Sequence, residues 1–176
     1  MDQQQLYQKA QNTQMLLLDV DGVLTDGTLF FDHHFNEIKS FHAQDGLGLQ
    51  MIRYQANIEV GVISGRKSSI VEHRLKQLGL KHVYLGVMKK CQALEDIQEK
   101  TAISTEAMTY VGDDLIDIPI MQKVGLAIAT ANATSQTKEH AHWVTQKPGG
   151  KGAVREVCDI LLDSKGLLEK AWQQFQ

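Results

Sequence analysis

Short apolar runs alternate with helix-patterned stretches along most of this chain, and that rhythm restricts the fold more than any single residue does. Met15-Leu-Leu-Leu-Asp-Val20 and Ile58-Glu-Val-Gly-Val-Ile63 read as buried strands. His82–Leu85, Met108–Val111 and Gly125–Ala129 read the same way, and His142–Thr145 fits an edge strand. Between them, Lys67–Leu78 places Ile70, Val71, Arg74, Leu75 and Leu78 near one helical face, with Gly79 as a C-terminal cap. Lys89–Lys100 carries Cys91, Leu94 and Ile97 at steps of three, and Ala153–Leu162 is amphipathic. Such alternation predicts an α/β fold, a doubly wound (Rossmann-like) parallel sheet covered by helices on both faces. The 176 residues suit a single domain, 1–176, with a sizeable core.

Two segments depart from the rhythm. Thr28–Phe31 and Glu37–Phe41 flank Asp32-His-His-Phe-Asn36, which predicts a β-hairpin flap directly after the first strand. From Lys147 onward, Pro148-Gly-Gly-Lys-Gly152 reads as a flexible glycine cluster ahead of a helix. The net charge of −3 gives no electrostatic reason to expect nucleic acid or an anionic membrane as partner. The first apolar run is too short for a membrane span or a signal-peptide core. Cys91 and Cys158 form no CxxC pair and read as free thiols in a reducing compartment. The expectation is a cytoplasmic protein.

The chemistry gathers at strand ends. Asp19-Val-Asp-Gly-Val-Leu-Thr-Asp26 follows the first strand, and ligands of open α/β sheets collect at the carboxyl ends of strands. Two carboxylates one residue apart at such an end repel each other unless a cation or a proton intervenes. Val62-Ile-Ser-Gly-Arg66 ends the second strand in Ser64, whose hydroxyl suits a phosphoryl oxygen and equally a helix N-cap. Lys89 or Lys90 opens a helix, where the dipole disfavours cations. On its own a lysine there reads as exposed surface, and a phosphate nearby would resolve the mismatch. Tyr110-Val-Gly-Asp-Asp-Leu-Ile-Asp117 ends another strand in acids, so Asp113 and Asp114 face Asp19 if the strands are neighbours. Three or more converging carboxylates suit a hard cation such as Mg²⁺. The histidines share no spacing with cysteine or acid ligands, which argues against zinc.

Taken in order, Asp-x-Asp-Gly-Val-x-Thr, a strand-terminal Ser, a Lys and Gly-Asp-Asp-x-x-Asp resemble the haloacid dehalogenase-like phosphatase superfamily over Asp19–Asp117. Thr25–Gly27, Lys39–Gly48, Ser64–Arg66 and Gly149–Glu156 extend the likeness over nearly the whole chain. They resemble capless members that act on a phosphorylated eight-carbon 3-deoxy sugar acid of lipopolysaccharide. The resemblance implies Asp19 as nucleophile, forming an aspartyl-phosphate, and Asp21 as general acid and base. Ser64 and Lys90 would stabilise the phosphoryl charge. Mg²⁺ would be held by Asp19, Asp113 and the Asp21 main-chain carbonyl, with Asp114 and Asp117 positioning the loop or the metal's waters. The Lys89-Lys90-Cys91 string departs from the family's pattern around the motif lysine, which leaves the choice of lysine open.

The gaps between motifs leave no room for a cap domain, so cover must come from elsewhere. Capless relatives form oligomers, and the resemblance implies a homo-oligomer, a tetramer built around the hairpins. Substrate contacts would come from Asp21, Lys90, His42, Asp45, Gly46, Arg66 and Arg74. The 147–176 tail, through Lys151 and Arg155, would reach a neighbour's site. Three rivals stay open: a phosphatase of a nine-carbon nonulosonate phosphate, a phosphosugar mutase, and a phospho-aspartate receiver domain.

Overall fold

The computed structural model describes residues 2–174. Among them, six strands form one parallel sheet. In chain order, α1 (Gln3–Gln11) leads into β1 (Met15–Leu18), followed by the hairpin strands β2 (Phe30–Phe31) and β3 (Glu37–Ile38). Then come α2 (Ala43–Gln55), β4 (Glu59–Ser64), α3 (Ser69–Gln77), β5 (His82–Leu85) and α4 (Lys90–Thr101). The second half contains β6 (Met108–Gly112), α5 (Ile118–Met121), β7 (Leu126–Ala129), α6 (Ser135–Glu139) and β8 (Trp143–Val144). It ends with α7 (Ala153–Ser164) and α8 (Leu168–Gln173). No described helix is long and apolar enough to cross a membrane.

The sheet order is β5-β4-β1-β6-β7-β8. The chain builds outward from β1 to one side, then crosses back and builds outward on the other. β1 is therefore the topological switch point, where open α/β sheets form a crevice beyond the strand ends. Alternation in β1 feeds two separate cores. Leu16, Leu18 and Val20 join α1, α2, α3 and α7 on one face, while Met15 and Leu17 join Ile97, Tyr110 and Ile120 on the other. Asp19 follows the odd-numbered face, the face of Tyr110 and α4.

The hairpin is shorter than its sequence suggests. Only Phe30–Phe31 and Glu37–Ile38 pair, and Phe35 takes a left-handed φ of 62° at the turn. Lys39–Phe41 lie outside the ladder, with the Lys39 side chain buried. Leu29, Phe30, Phe31, Phe35 and Ile38 are exposed, Phe35 at 87%.

The glycine segment is not a flexible linker. Gly150 donates its N–H to Val23 O at 3.0 Å, and Gly149 lies so close to the loop after β1 that a Cβ would come 1.8 Å from Gly22 O. Val154, Val157, Cys158, Leu161 and Leu162 then seat α7 in the core. Within its own chain the segment is packed on the first motif rather than hanging free. Most of its glycine surface is already covered.

Candidate active site

Register brings the motifs together. Leu18 aligns with Val62 on β4 and Val111 on β6, so Asp19 emerges one residue on, while Ser64 and Asp113 emerge two residues on at either side. Asp19, Asp21, Ser64, Arg66, Asp113 and Asp114 line one half-open cleft of about 310 Å³, with Gly27, Gly65, Met88 and Ile116. Gly22 makes the loop possible: its φ is 89°, and a Cβ there would lie 1.9 Å from Asp113 Oδ2. Thr130 and Asn132 both donate to Gly22 O, at 3.2 and 3.1 Å, and hold the loop down.

Lys90, not Lys89, belongs to the site. Lys89 is exposed, whereas the buried Lys90 ammonium lies 2.9 Å from Asp19 Oδ1 and 2.6 Å from Asp117 Oδ1. It also donates to Tyr110 Oη at 3.2 Å. A cation at a helix start opposes the dipole, and here two buried carboxylates supply the compensating charge. Both oxygens of Asp117 are occupied. Oδ1 accepts from Lys90 and from Tyr110 Oη at 2.6 Å, and Oδ2 accepts the N–H groups of Asp113 and Asp114 at 2.9 and 3.1 Å. Asp117 thus holds the β6 loop. Asp114 lines the cleft but is exposed, and its side chain accepts the Leu115 N–H at 2.8 Å.

Carboxylate oxygens of Asp19, Asp113 and Asp117 lie within 4.8 Å of one another. Asp113 Oδ1 is buried with no hydrogen-bond partner, and the Asp19 oxygen facing Lys90 is off the hydrogen-bonding direction. Burial, then Asp117 and Asp19, push Asp113 up to about 8. Burial and Asp117 raise Asp19 to about 6, against the opposing pull of Lys90. Buried, crowded acids with an unsatisfied oxygen are the donor set a divalent cation fits. Asp19 and Asp113 have the free valence, and Asp117 does not.

A pH dependence follows. A folded-state value above the ordinary 3.8 means that the native protein binds the Asp113 proton more tightly than the unfolded chain does. That stabilisation is complete below about pH 4 and is lost as pH rises through about 8. In chelator, the melting temperature is expected to fall between about pH 6 and about pH 8 by more in the wild type than in Asp113→Asn. A divalent cation should raise the melting temperature more at the higher pH. Parallel slopes in scanning calorimetry for the two proteins would refute this account of Asp113.

The expected substrate contacts divide. Arg66 lines the cleft, its side chain 46% exposed, with Nε 3.9 Å from Asp21 Oδ2 and Nη2 2.9 Å from Glu37 Oε1. His42, Asp45, Gly46 and Arg74 lie instead around a separate space of about 10 Å³, beside Leu24, Phe41 and Leu78. That holds one water at most, not a sugar. Asp45, 1% exposed, accepts the Arg155 N–H at 2.8 Å. The N-cap residue of α7 is Gly152, which has no side chain to cap with, and Asp45 supplies the missing carboxylate from α2. Gly46 leaves room for the Arg74 guanidinium, since a Cβ there would be 2.6 Å from Nη2. Arg155 is tied to Asp159 at 2.8 Å, and Lys151 reaches Asp26 at 3.7 Å. Neither points into the cleft. Ser64 also departs from expectation, because α3 begins only at Ser69. The N–H that turns back to Ser64 Oγ, at 3.3 Å, is that of Arg66 in a turn.

Three residues of the site carried no signal as local motifs. Lys39 pairs with Asp21 Oδ1, Glu37 accepts from Arg66 and Ser68, and Tyr110 bridges Lys90 and Asp117. Tyr110 could have been noticed as a buried hydroxyl two residues before the end of the strand that leads into the Asp113 loop.

A switch-point crevice with an Asp-x-Asp loop, a strand-end serine, a buried lysine and a second acidic loop defines the class of haloacid dehalogenase-like hydrolases. The model of the family described as haloacid dehalogenase-like hydrolase matches residues 84–157. Within that class the chain belongs to the 3-deoxy-D-manno-octulosonate 8-phosphate phosphatases. It is 48% identical over 163 residues to the Salmonella typhi enzyme of that name, covering 93% of this chain and 86% of that one. The Escherichia coli K12 enzyme is 47% identical over the same shares. The Moraxella catarrhalis enzyme, solved in complex with magnesium, phosphate and the sugar acid, superposes with a TM-score of 0.96. It is 36% identical, over 99% of this chain and all of that one.

Proposed function

We propose that the protein is a Mg²⁺-dependent phosphatase that hydrolyses 3-deoxy-D-manno-octulosonate 8-phosphate to the free sugar acid and phosphate, in lipopolysaccharide biosynthesis. The observation that carries this reading is the convergence of Asp19, Asp21, Ser64 and Asp113 on one cleft, with Lys90 buried behind Asp19. The relatives named for that activity support the choice of substrate.

The Asp19 and Asp113 carboxylates and the Asp21 main-chain carbonyl would hold Mg²⁺, which offsets the repulsion between carboxylate and phosphate and orients the phosphoryl group. An Asp19 oxygen attacks phosphorus, and the bond from phosphorus to the sugar oxygen breaks. Asp21 gives its proton to that leaving oxygen. It then takes a proton from the water that attacks the aspartyl-phosphate, which frees phosphate and restores Asp19. Ser64 donates to a phosphoryl oxygen, while Lys90 balances charge on Asp19 as the phosphoryl group arrives. Arg66 presents a planar fork at the cleft mouth for the sugar carboxylate.

Water must be kept out while the intermediate lives, and the described residues include no cap domain to do it. The exposed Leu29, Phe30, Phe31 and Phe35 support a homotetramer in which neighbouring hairpins close the clefts. Free Cys91 and Cys158 suit the cytoplasm.

Phosphate release from a panel of eight- and nine-carbon ketoacid phosphates, with Mg²⁺ and with chelator, tests the reading. The eight-carbon ester should be turned over fastest and only with metal. Preference for a nine-carbon ester would move the assignment to the nonulosonate. A stable phosphoprotein with no turnover would make it a receiver. Light scattering should give the mass of a tetramer, and a fully active monomer would rule out closure by neighbours.

A further inference from the structure

Lys39 has no place in the four motifs, yet its side chain is among the least exposed near the cleft. Its neighbours Ile38 and Ser40 face water, while the Lys39 side chain is 1% exposed. Lysines normally carry the ammonium outward on the aliphatic stem. This one carries it inward, to Asp21 Oδ1 and to Glu37 Oε1 at 3.3 Å. Taking an ammonium out of water costs several kcal/mol unless carboxylates receive it, so the contact is built by both partners.

Glu37 is the hub of this frame. Besides Lys39 it accepts from Arg66 Nη2 at 2.9 Å and from Ser68 Oγ at 2.7 Å. Burial works against its charge, but Ser68, Lys39 and Arg66 together lower its pKa. The hairpin is thereby fastened to the start of α3, and the Lys39 ammonium is fixed between the two.

The consequence falls on Asp21. Its two oxygens are not equivalent. Oδ1 accepts from Lys39 and, at 3.4 Å, from Thr25 Oγ1. Oδ2 has only Arg66 Nε, at 3.9 Å and beyond hydrogen-bond reach. The last torsion of an aspartate is broad and nearly two-fold, so an unanchored carboxyl would present either oxygen to the cleft. Anchoring Oδ1 leaves Oδ2 as the one available.

We infer that Lys39 is a positioning residue: held by Glu37, it fixes Asp21 so that Oδ2 alone gives the proton to the leaving oxygen and takes it back from water. The inference rests on the proposed acid–base role of Asp21. It concerns the geometry of that role and needs no particular sugar.

Lys39→Met keeps the length of the side chain and removes the donor. With full-length protein and Mg²⁺, kcat is expected to fall about 10- to 100-fold with KM within about threefold, because misplacing a general acid forfeits part of its contribution. Lys39→Arg can still donate to Oδ1 and should recover at least about fivefold of that loss. Glu37→Gln keeps the Lys39 charge but loosens its anchor, and kcat should fall about three- to tenfold. That variant carries the test if Lys39→Met does not fold. The leaving group gives the decisive comparison. p-Nitrophenolate departs without a proton, so its first-turnover release should be hurt much less than that of the sugar alcohol.

Unchanged kcat in folded Lys39→Met would overturn the inference. So would a raised KM at unchanged kcat, which would make Lys39 a substrate ligand. Equal first-turnover losses on both esters would mean that Lys39 only supports the fold. If the wild type prefers another phosphate ester, the proposed substrate fails, and the same variants measured on that ester still decide the role of Lys39.

Discussion

Asp19→Asn is expected to lower phosphate release by at least about 10⁴-fold while the protein stays folded, because it removes a covalent participant rather than a contact. A carboxamide is a poor nucleophile and a poor ligand for a hard cation. Position makes the case specific. Asp19 continues β1 at the switch point, is 4% exposed, and lies 2.9 Å from Lys90. Stability should hold or improve. Burial and Asp117 raise the Asp19 carboxyl to about 6, so at neutral pH the folded protein carries a charge it accommodates poorly. An amide removes that charge, and Lys90 keeps Asp117. Steady-state turnover and a thermal melt read both halves of the prediction. A residual rate within about a hundredfold of wild type would show that Asp19 is not the nucleophile.

Lys90→Met should be damaging in a different way. Lys90 is the buried cation between Asp19 and Asp117, and without it those two carboxylates, with oxygens within 4.8 Å of each other, lose their shared counter-charge. Breaking a buried pair by removing one partner costs about 3–5 kcal/mol. Turnover should also fall about 10²- to 10³-fold, the usual loss of one preorganised charge-stabilising group. The two effects separate with pH. As the pH falls, Asp19, which burial and Asp117 already raise to about 6, takes up a proton, so the stability deficit should shrink while activity does not return. Lys89→Met serves as the control. Its side chain is exposed one residue earlier, and the change should stay within about 0.5 kcal/mol. Urea unfolding at two pH values, with phosphate release, measures all of this. A larger deficit in Lys89→Met than in Lys90→Met would reverse the choice of lysine.

The role of Lys39 shows how an element chosen for one purpose acquires another. The hairpin follows the first motif directly and exposes five large apolar residues, Leu29, Phe30, Phe31, Phe35 and Ile38. Glu37 and Ile38 of its returning strand run on into Lys39, outside the ladder. The first and third of these face the cleft, and the second faces outward. A surface that packs on the outer face therefore borders directly on groups that hold Asp21.

The sequence by itself determined the layered α/β architecture, the buried Met15 strand and the acids at its end. Those readings depend on local quantities: the period of apolar residues, strand length, and a motif lying directly after a buried run. The neighbouring of β1 with β6, which the sequence posed only as a condition, follows from the crossover. Other decisions belonged to tertiary structure alone, because they depend on which distant groups share a buried volume. Lys90 and Lys89 are indistinguishable in sequence, and what separates them is a pair of carboxylates, one just after β1 and one after β6. Asp45 and Arg155 look like substrate ligands until α2 packs on α7, whereupon one caps the other's helix. The glycines after Pro148 look like slack until the loop after β1 fills the space where their side chains would be. Each of these turns on desolvation. A polar group removed from water must find its partner within about 3 Å, and that partner is chosen by the packing of elements far apart in the chain.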